Sequence, residues 1–279
     1  MPALFYFHGQ YGTAMDDASK FKYKNVGEKN GYVSVFGQGL GDGNCGTGWN
    51  VGSGNQSATC TSDAGSCCYD SCKALHVCTA DNQPGAKCGW STCHSDIAFL
   101  ASLVTHLSAS LCLDLDALFV TGGSNGGMMT HYIYSQLAPM FAAYVPMYGL
   151  PLMGFAIVPT AASHSSIMAL HDRSDQIIPA NGGLAGGWYY ESTDTVYEKW
   201  AAIKGCNAVP HSIVTPFDGP ANANLACLEY GGCRRGRVIR CLYDGTHGSQ
   251  FRDYATMTWW FFAQTIAAQS QGETSVLPT

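Results

Sequence analysis

The sequence has little charge and no long apolar run. Asp, Glu, Lys and Arg make up only 12% of its 279 residues, about half of the usual share of roughly 25%. No apolar stretch reaches the ~18 residues of a membrane-spanning helix, so no such helix is expected. The net charge is −6, and the basic residues form no cluster larger than the arginines of residues 234–240. This charge pattern argues against a nucleic-acid partner.

Cysteine pairs of the C-x2-C type, which structural zinc sites use, are also absent. The chain nevertheless has 13 cysteines, and eight of them fall between Cys45 and Cys93 at irregular spacings. We therefore predict disulfides rather than a metal site, and with them an oxidising, extracellular location. The pairing cannot be read from the spacing, and the odd total leaves at least one cysteine without a partner in the chain.

Two features of the termini and loops bear on secretion. Asn55-Gln56-Ser57 is a glycosylation sequon, which is consistent with a secreted protein. The chain begins MPALFYFHG and shows no charged-then-apolar signal segment. We expect either that a leader and some leading strands were removed or that the sequence is a fragment.

Short apolar runs alternate with helical patterns along most of the chain. The predicted strands are 3–7, 32–36, 116–120, 141–148, 166–170 and 237–243, and the predicted helices are 14–30, 95–107, 128–137, 193–203 and 251–266. This alternation predicts an α/β fold, with a mainly parallel sheet and helices on both faces. We predict one domain over residues 1–267, a cysteine-rich, disulfide-stapled insertion at 43–93 and a linker-like tail at 268–279.

The stretch VTGGSNGGMMT at residues 120–130 lies between a predicted strand and a predicted helix. It contains the pattern G-x-S-x-G, in which small neighbours let strand and helix approach closely while the serine hydroxyl stays exposed. We interpret Ser124 as a nucleophile and Gly122 and Gly126 as close-packing positions. The alternative is a glycine-rich turn that contains an incidental serine.

A serine nucleophile needs a base and an acid, and in this arrangement they follow in the order Ser, Asp/Glu, His. Asp175 lies in the loop after the strand at 166–170, with Asp172 as its competitor. His247 lies between the last predicted strand and the closing helix. The other histidines after the serine lack this position: His131, His164, His171 and His211. We predict Asp175 as the acid and His247 as the base.

Two backbone N–H groups are expected to stabilise the oxyanion of the tetrahedral intermediate. One belongs to Asn125, next to the serine, and the other to Gln10, in the loop after the first strand. His8 is interpreted as a structural residue that holds this loop. Tyr11 and Trp49 are candidate substrate contacts because they neighbour these motifs.

Several segments together resemble one family. They are FYFHGQYG from residue 5, GWN at 48–50, SDIAFLASLV at 95–104, CLDLDALFVTGGSNGGMMT at 112–130, HDRSDQIIP at 171–179, WAAIKGC at 200–206 and DGTHG at 244–248. The chain looks like the secreted esterases grouped with polyhydroxybutyrate depolymerases, feruloyl esterases and acetyl xylan esterases (carbohydrate esterase family 1-like). The resemblance implies an α/β-hydrolase fold and a Ser124, His247 and Asp175 triad. This chain departs from the family in lacking the leading hairpin, in its many cysteines at 50–93 and in having Asp172 where glycine is common.

These observations predict a secreted serine ester hydrolase that works through an acyl-enzyme without a metal or other cofactor. The expected partner is an ester substrate, polysaccharide-linked or polymeric, such as a feruloyl or acetyl ester of plant cell-wall polysaccharide. No nucleic-acid or membrane partner is expected, and the oligomeric state stays open. One alternative is a depolymerase of polyhydroxybutyrate or another polyester. Another is a non-catalytic, disulfide-rich binding protein on a hydrolase scaffold.

Overall fold

The structure is a computed structural model, and it describes residues 1–20, 22–42, 45–52, 70–75, 91–154 and 163–270. The glycosylation sequon, most of the predicted cysteine-rich insertion and residues 271–279 of the predicted tail lie outside the described residues. None of the helices in the described part of the chain has the length and apolar character needed to cross a bilayer.

An eight-stranded sheet forms the centre of the protein. Its order is β2-β1-β3-β4-β5-β10-β9-β8. The first six of these strands are parallel, whereas β9 pairs antiparallel with both β10 and β8. The strands are β1 Ala3–Phe7, β2 Val33–Gly37, β3 Leu118–Gly123, β4 Ala143–Met147, β5 Ser166–Asp172, β6 Gly183–Ala185, β7 Trp188–Tyr190, β8 His211–Ile213, β9 Ala226–Tyr230 and β10 Val238–Tyr243. Strands β6 and β7 form a separate hairpin. The mainly parallel α/β sheet predicted from the sequence is confirmed.

Helices cover both faces of this sheet. They are α1 Ala14–Lys20, α2 Tyr23–Asn30, α3 Asp70–Ala74, α4 Asp96–Ser110, α5 Asn125–Leu137, α6 Thr193–Lys204 and α7 Tyr254–Ser270. Successive side chains of a strand point to opposite faces, and the core divides accordingly. In β1, Phe5 and Phe7 join the cluster under α4, α5 and α6, whereas Leu4 and Tyr6 join the cluster under α2 and α7.

Some element bounds differ from the prediction. The segment 14–30 is two helices, because Lys22 has a left-handed backbone (φ 60°) that interrupts the helical path. The closing helix begins at Tyr254 and continues to Ser270, so its last turn includes the first residues of the predicted tail. The hairpin β6–β7 and strand β9 were not predicted: β6 and β7 have three residues each, and β9 pairs between β10 and the edge strand β8.

Three disulfides are present in the described residues, as the cysteine content predicted. Cys72 pairs with Cys93, which closes the predicted insertion. The other two lie near the antiparallel edge of the sheet and join Cys206 to Cys233 and Cys227 to Cys241. Cys112 has a free, exposed thiol.

Candidate active site

Ser124 lies alone between β3 and α5, on a strained turn. Its backbone has φ 56° and ψ −122°, a region that costs a non-glycine residue about 1–2 kcal/mol. The turn passes close to β1, since a Cβ built on Gly126 would lie 2.0 Å from the carbonyl oxygen of Phe7. A Cβ on Gly122 would lie 2.5 Å from the carbonyl oxygen of Gly126. The predicted close-packing role of both glycines is confirmed.

His247 lies in the loop between β10 and α7 and contacts the serine directly. Its Nε2 is 2.9 Å from the Oγ of Ser124, and its Nδ1 is 2.8 Å from Oδ2 of Asp175. The side chain is 20% exposed, so one edge of the ring reaches solvent. The ring of Tyr148 packs edge-on against it, with centroids 5.4 Å apart. The structure thus brings together the three side chains that were predicted to act together.

Asp175 lies in the loop after β5, and its carboxylate is fully buried. Its Oδ1 accepts hydrogen bonds from the N–H groups of Ile177 and Ile178, at 2.8 and 2.9 Å. These two bonds fix the carboxylate so that Oδ2 points to His247. His171 supports the same loop from behind: its Nε2 is 2.8 Å from the carbonyl oxygen of Ile178, and burial lowers the pKa of His171 to about 4, which keeps the ring neutral.

Asp172, the competing candidate for the acid, has other partners. Its Oδ2 accepts a hydrogen bond from the hydroxyl of Tyr243 at 2.7 Å and another from the N–H of Gly248 at 2.9 Å. The side chain is buried at the end of β5, and this burial raises the pKa of Asp172 to about 6. The carboxylate that contacts the imidazole of His247 is therefore that of Asp175.

The loop after β1, predicted to supply an oxyanion donor, lies against the serine. A Cβ built on Gly9 would be 3.3 Å from the Cβ of Ser124, and Gln10 follows directly. His8 braces this loop, since its Nδ1 is 2.7 Å from the carbonyl oxygen of Gly9 and its Nε2 accepts a 2.8 Å hydrogen bond from the N–H of Gly39. Burial lowers the pKa of His8, which favours the neutral ring that these two bonds require.

Asn125 is the first residue of α5, and its side chain is buried. Its Oδ1 accepts a 2.8 Å hydrogen bond from the N–H of Trp49, which ties the segment around residue 49 to the serine turn. The first N–H groups of a helix have no acceptor within it and carry partial positive charge. The Asn125 N–H occupies such a position, and its role as an oxyanion donor, like that of Gln10, stays a prediction.

The two aromatic residues predicted as substrate contacts differ in exposure. The side chain of Tyr11 is 70% exposed, so it stays a candidate contact. Trp49 is 1% exposed: its ring packs against Phe7 and His8, and its Nε1–H donates a 2.9 Å hydrogen bond to the carbonyl oxygen of His8. Trp49 is therefore placed beneath the loop as a support, which corrects its assignment as a substrate contact.

The sequence did not indicate two further features of the site. Tyr148, just after β4, packs against the ring of His247, and no local motif marks it. Large apolar side chains are also exposed in loops that follow β2, β4 and β5: Leu40, Met153 and Ile177. No group of three or more metal-ligating side chains occurs among the residues that the structure describes.

The strand order, the serine turn after β3 and the His247 loop after β10 define an α/β-hydrolase fold. Within that fold, the comparisons confirm the resemblance to esterases. The chain is 26% identical to "Probable feruloyl esterase C" of Aspergillus clavatus over 59% of this chain and 54% of the relative. It is also 26% identical to the protein of the same name from Aspergillus niger, over 64% of this chain and 62% of the relative. No protein-family model matches the chain.

Among solved structures, the chain is similar to an acetyl xylan esterase from Aspergillus awamori. The TM-score is 0.58 at 15% identity, and the match covers 94% of this chain and 89% of that one. At this identity the match shows a shared fold. The chain spans little more than half the length of the curated relatives that it matches.

Proposed function

We propose that this chain is a serine carboxylic-ester hydrolase that works through an acyl-enzyme. The observation that carries the proposal is the continuous contact from Asp175 through His247 to the Oγ of Ser124. A serine hydroxyl is a weak nucleophile unless an adjacent base takes its proton. The buried Asp175 carboxylate, itself held by two backbone N–H groups, is the group that would hold the imidazole in the required tautomer.

In the proposed reaction, Ser124 attacks the ester carbonyl while His247 accepts the hydroxyl proton. The oxyanion forms beside the N–H groups of Asn125 and Gln10, and each such donor contributes roughly 10²–10³-fold in rate. His247 then gives its proton to the leaving alcohol, and an acyl-Ser124 ester remains. Water, deprotonated by His247, attacks this ester and releases the acid.

The proposed substrates are feruloyl or acetyl esters of plant cell-wall polysaccharide, encountered outside the cell. The names of the curated relatives and of the solved acetyl xylan esterase support this class of substrate. The disulfides in the described residues support an oxidising compartment. A polyester such as polyhydroxybutyrate is the second candidate, because exposed apolar side chains occur in loops that follow strands of the sheet, as does the serine turn.

Hydrolysis assays with methyl ferulate, acetylated xylan, polyhydroxybutyrate and short p-nitrophenyl esters test this proposal. We expect Ser124→Ala to lower kcat by at least about 10³-fold while the melting temperature stays nearly unchanged. The matched control is Ser110→Ala on the exposed end of α4, which should match the wild type. Full activity of Ser124→Ala would contradict the serine mechanism, and an inert wild type would favour a binding protein.

A further inference from the structure

The turn that carries His247 has an unfavourable backbone and depends on outside contacts. His247 has φ 39°, and Gln250 has φ 73°. Residues with a Cβ rarely adopt these values, because the Cβ approaches the following carbonyl oxygen. Such conformations persist only where the surrounding structure holds them. The position of the imidazole therefore depends on whatever anchors this turn.

The buried anchor of the turn is Asp172. This residue ends β5 and lies beside Tyr243, its register partner in β10. Its Oδ2 accepts the N–H of Gly248, the residue directly after His247, and also the hydroxyl of Tyr243. That hydroxyl in turn contacts the hydroxyl of Tyr254 in α7. One carboxylate oxygen thus links the histidine turn to two strands and a helix.

Apart from the contacts of the His247 ring itself, the side-chain hydrogen bonds found in this loop lie within the turn or at the surface. The hydroxyls of Thr246 and Ser249 bond to each other within the turn. Asp244 pairs with Arg173 and Asn224 at the surface, where such a pair stabilises little because solvent screens it. Neither contact ties the histidine to the sheet as the Asp172 carboxylate does.

We propose that Asp172 is a positioning residue for His247: it holds the strained turn through Gly248, and its charge favours the protonated imidazole. The proposal rests on the function proposed above. It assigns Asp172 a role distinct from that of Asp175, whose carboxylate bonds to the imidazole itself. A charge-assisted bond from a backbone N–H to a carboxylate is stronger than a neutral one, which suits a turn under backbone strain.

The charge of Asp172 is set by groups from several elements. The titratable groups that face it are the phenols of Tyr148, Tyr243 and Tyr254, the carboxylate of Asp175 and the imidazole of His247. Burial raises the pKa of Asp172 to about 6, and the bonds from Gly248 and Tyr243 oppose this rise. The carboxylate of Asp172 therefore changes its charge in the weakly acidic range.

Two substitutions separate the contact from the charge. Asp172→Ala leaves the Gly248 N–H without its acceptor, and we expect kcat for p-nitrophenyl acetate to fall about 10- to 100-fold, with KM within about twofold. Asp172→Asn keeps an oxygen for this N–H but removes the charge. We expect its kcat to stay within about threefold and the acid limb of its pH–kcat profile to move down by at least about 0.3 pH unit.

Asp244→Asn is the matched control, because it makes the same change in an exposed residue of the same loop. It should change neither kcat nor the acid limb. NMR titration of the His247 ring resonance, assigned with His247→Gln, measures the charge effect without turnover. Its midpoint should move down in Asp172→Asn and stay in place in Asp244→Asn.

The proposal is overturned if Asp172→Ala keeps kcat within twofold of the wild type, or if Asp172→Asn moves neither the acid limb nor the NMR midpoint. If Asp172→Ala does not fold, the Asp172→Asn titration decides alone. Parallel assays of Ser124→Ala keep the two proposals apart. If Ser124→Ala abolishes activity but the Asp172 variants keep it, only the positioning role is rejected. If the wild type itself hydrolyses none of the esters, the NMR titration decides the positioning role.

Discussion

Acidification should destabilise this protein through its buried histidines, among which His131 has the pKa that burial lowers furthest. His131 lies in α5 and is 1% exposed, with its ring packed edge-on against Tyr197 of α6. Burial, with a smaller effect of nearby His171, lowers the pKa of His131 from 6.5 to about 3. Between these two values the unfolded chain binds a proton that the folded chain excludes. The free energy of unfolding must therefore fall as the pH falls through this range.

The magnitude follows from 1.36 kcal/mol for each pH unit. From pH 6.5 to 4.5, His131 should lower the free energy of unfolding by about 2.3 kcal/mol, since the unfolded histidine is already half protonated at pH 6.5, and His171, with a pKa of about 4, by nearly as much. Asp172 acts in the opposite direction. Its pKa is raised from 3.8 to about 6, so the folded state binds this proton at a higher pH than the unfolded state does. Proton binding by Asp172 therefore offsets about 2 kcal/mol of the destabilisation caused by the two histidines. Together these three groups should lower the free energy of unfolding of the wild type by roughly 3 kcal/mol.

His131→Leu removes the larger of these contributions with a side chain of similar volume. Urea unfolding at pH 6.5 and 4.5, followed by tryptophan fluorescence, should show a loss of less than about 1 kcal/mol in this variant. Comparing each variant between the two pH values cancels the change in packing. His106→Leu, on the exposed face of α4, is the control and should lose as much as the wild type. An equal loss in His131→Leu would refute the reasoning.

Two further predictions concern the support of the serine turn. Gly126→Ala places a Cβ against the carbonyl oxygen of Phe7 and should lower the free energy of unfolding by about 3 kcal/mol or more. The control is Gly31→Ala, whose Cβ meets no atom within 4 Å at φ 75° and which should lower the free energy of unfolding by only about 1 kcal/mol. Equal losses in the two variants would contradict the steric argument. Trp49→Phe removes the N–H that donates to the His8 carbonyl oxygen. This variant should lower the free energy of unfolding by about 1–3 kcal/mol and should also lower kcat. Urea unfolding and kcat that both match the wild type would refute the supporting role of Trp49.

The position of the candidate site could be predicted because it follows from topology. Ser124, Asp175 and His247 each lie in the connection that follows a parallel strand, and the carboxyl ends of parallel strands meet at one edge of a sheet. That argument needs only the alternation of strands and helices and the order of three residues. The hydrogen bonds that link Asp175, His247 and Ser124 are its structural counterpart.

Features that depend on contacts between distant segments could not be predicted. The sequence around Trp49 is polar and glycine-rich, yet the ring is buried because the chain after β2 returns over Phe7 and His8. The anchoring contact of Asp172 depends on the register between β5 and β10, which places it beside Tyr243. The local sequence indicates neither the path of the chain after β2 nor the register between β5 and β10.

The left-handed residues of this site also limit how the protein can change. Ser124, Tyr148 and His247 all have positive φ, although each has a Cβ that makes this conformation unfavourable. At these residues the preferred backbone conformation conflicts with the side chain that the proposed chemistry requires. Selection for stability alone would favour glycine or a relaxed turn at these positions and would erase the nucleophile and its base. Substitutions that relax the backbone at these positions should therefore raise stability and abolish the proposed activity, so only selection for that activity preserves the site.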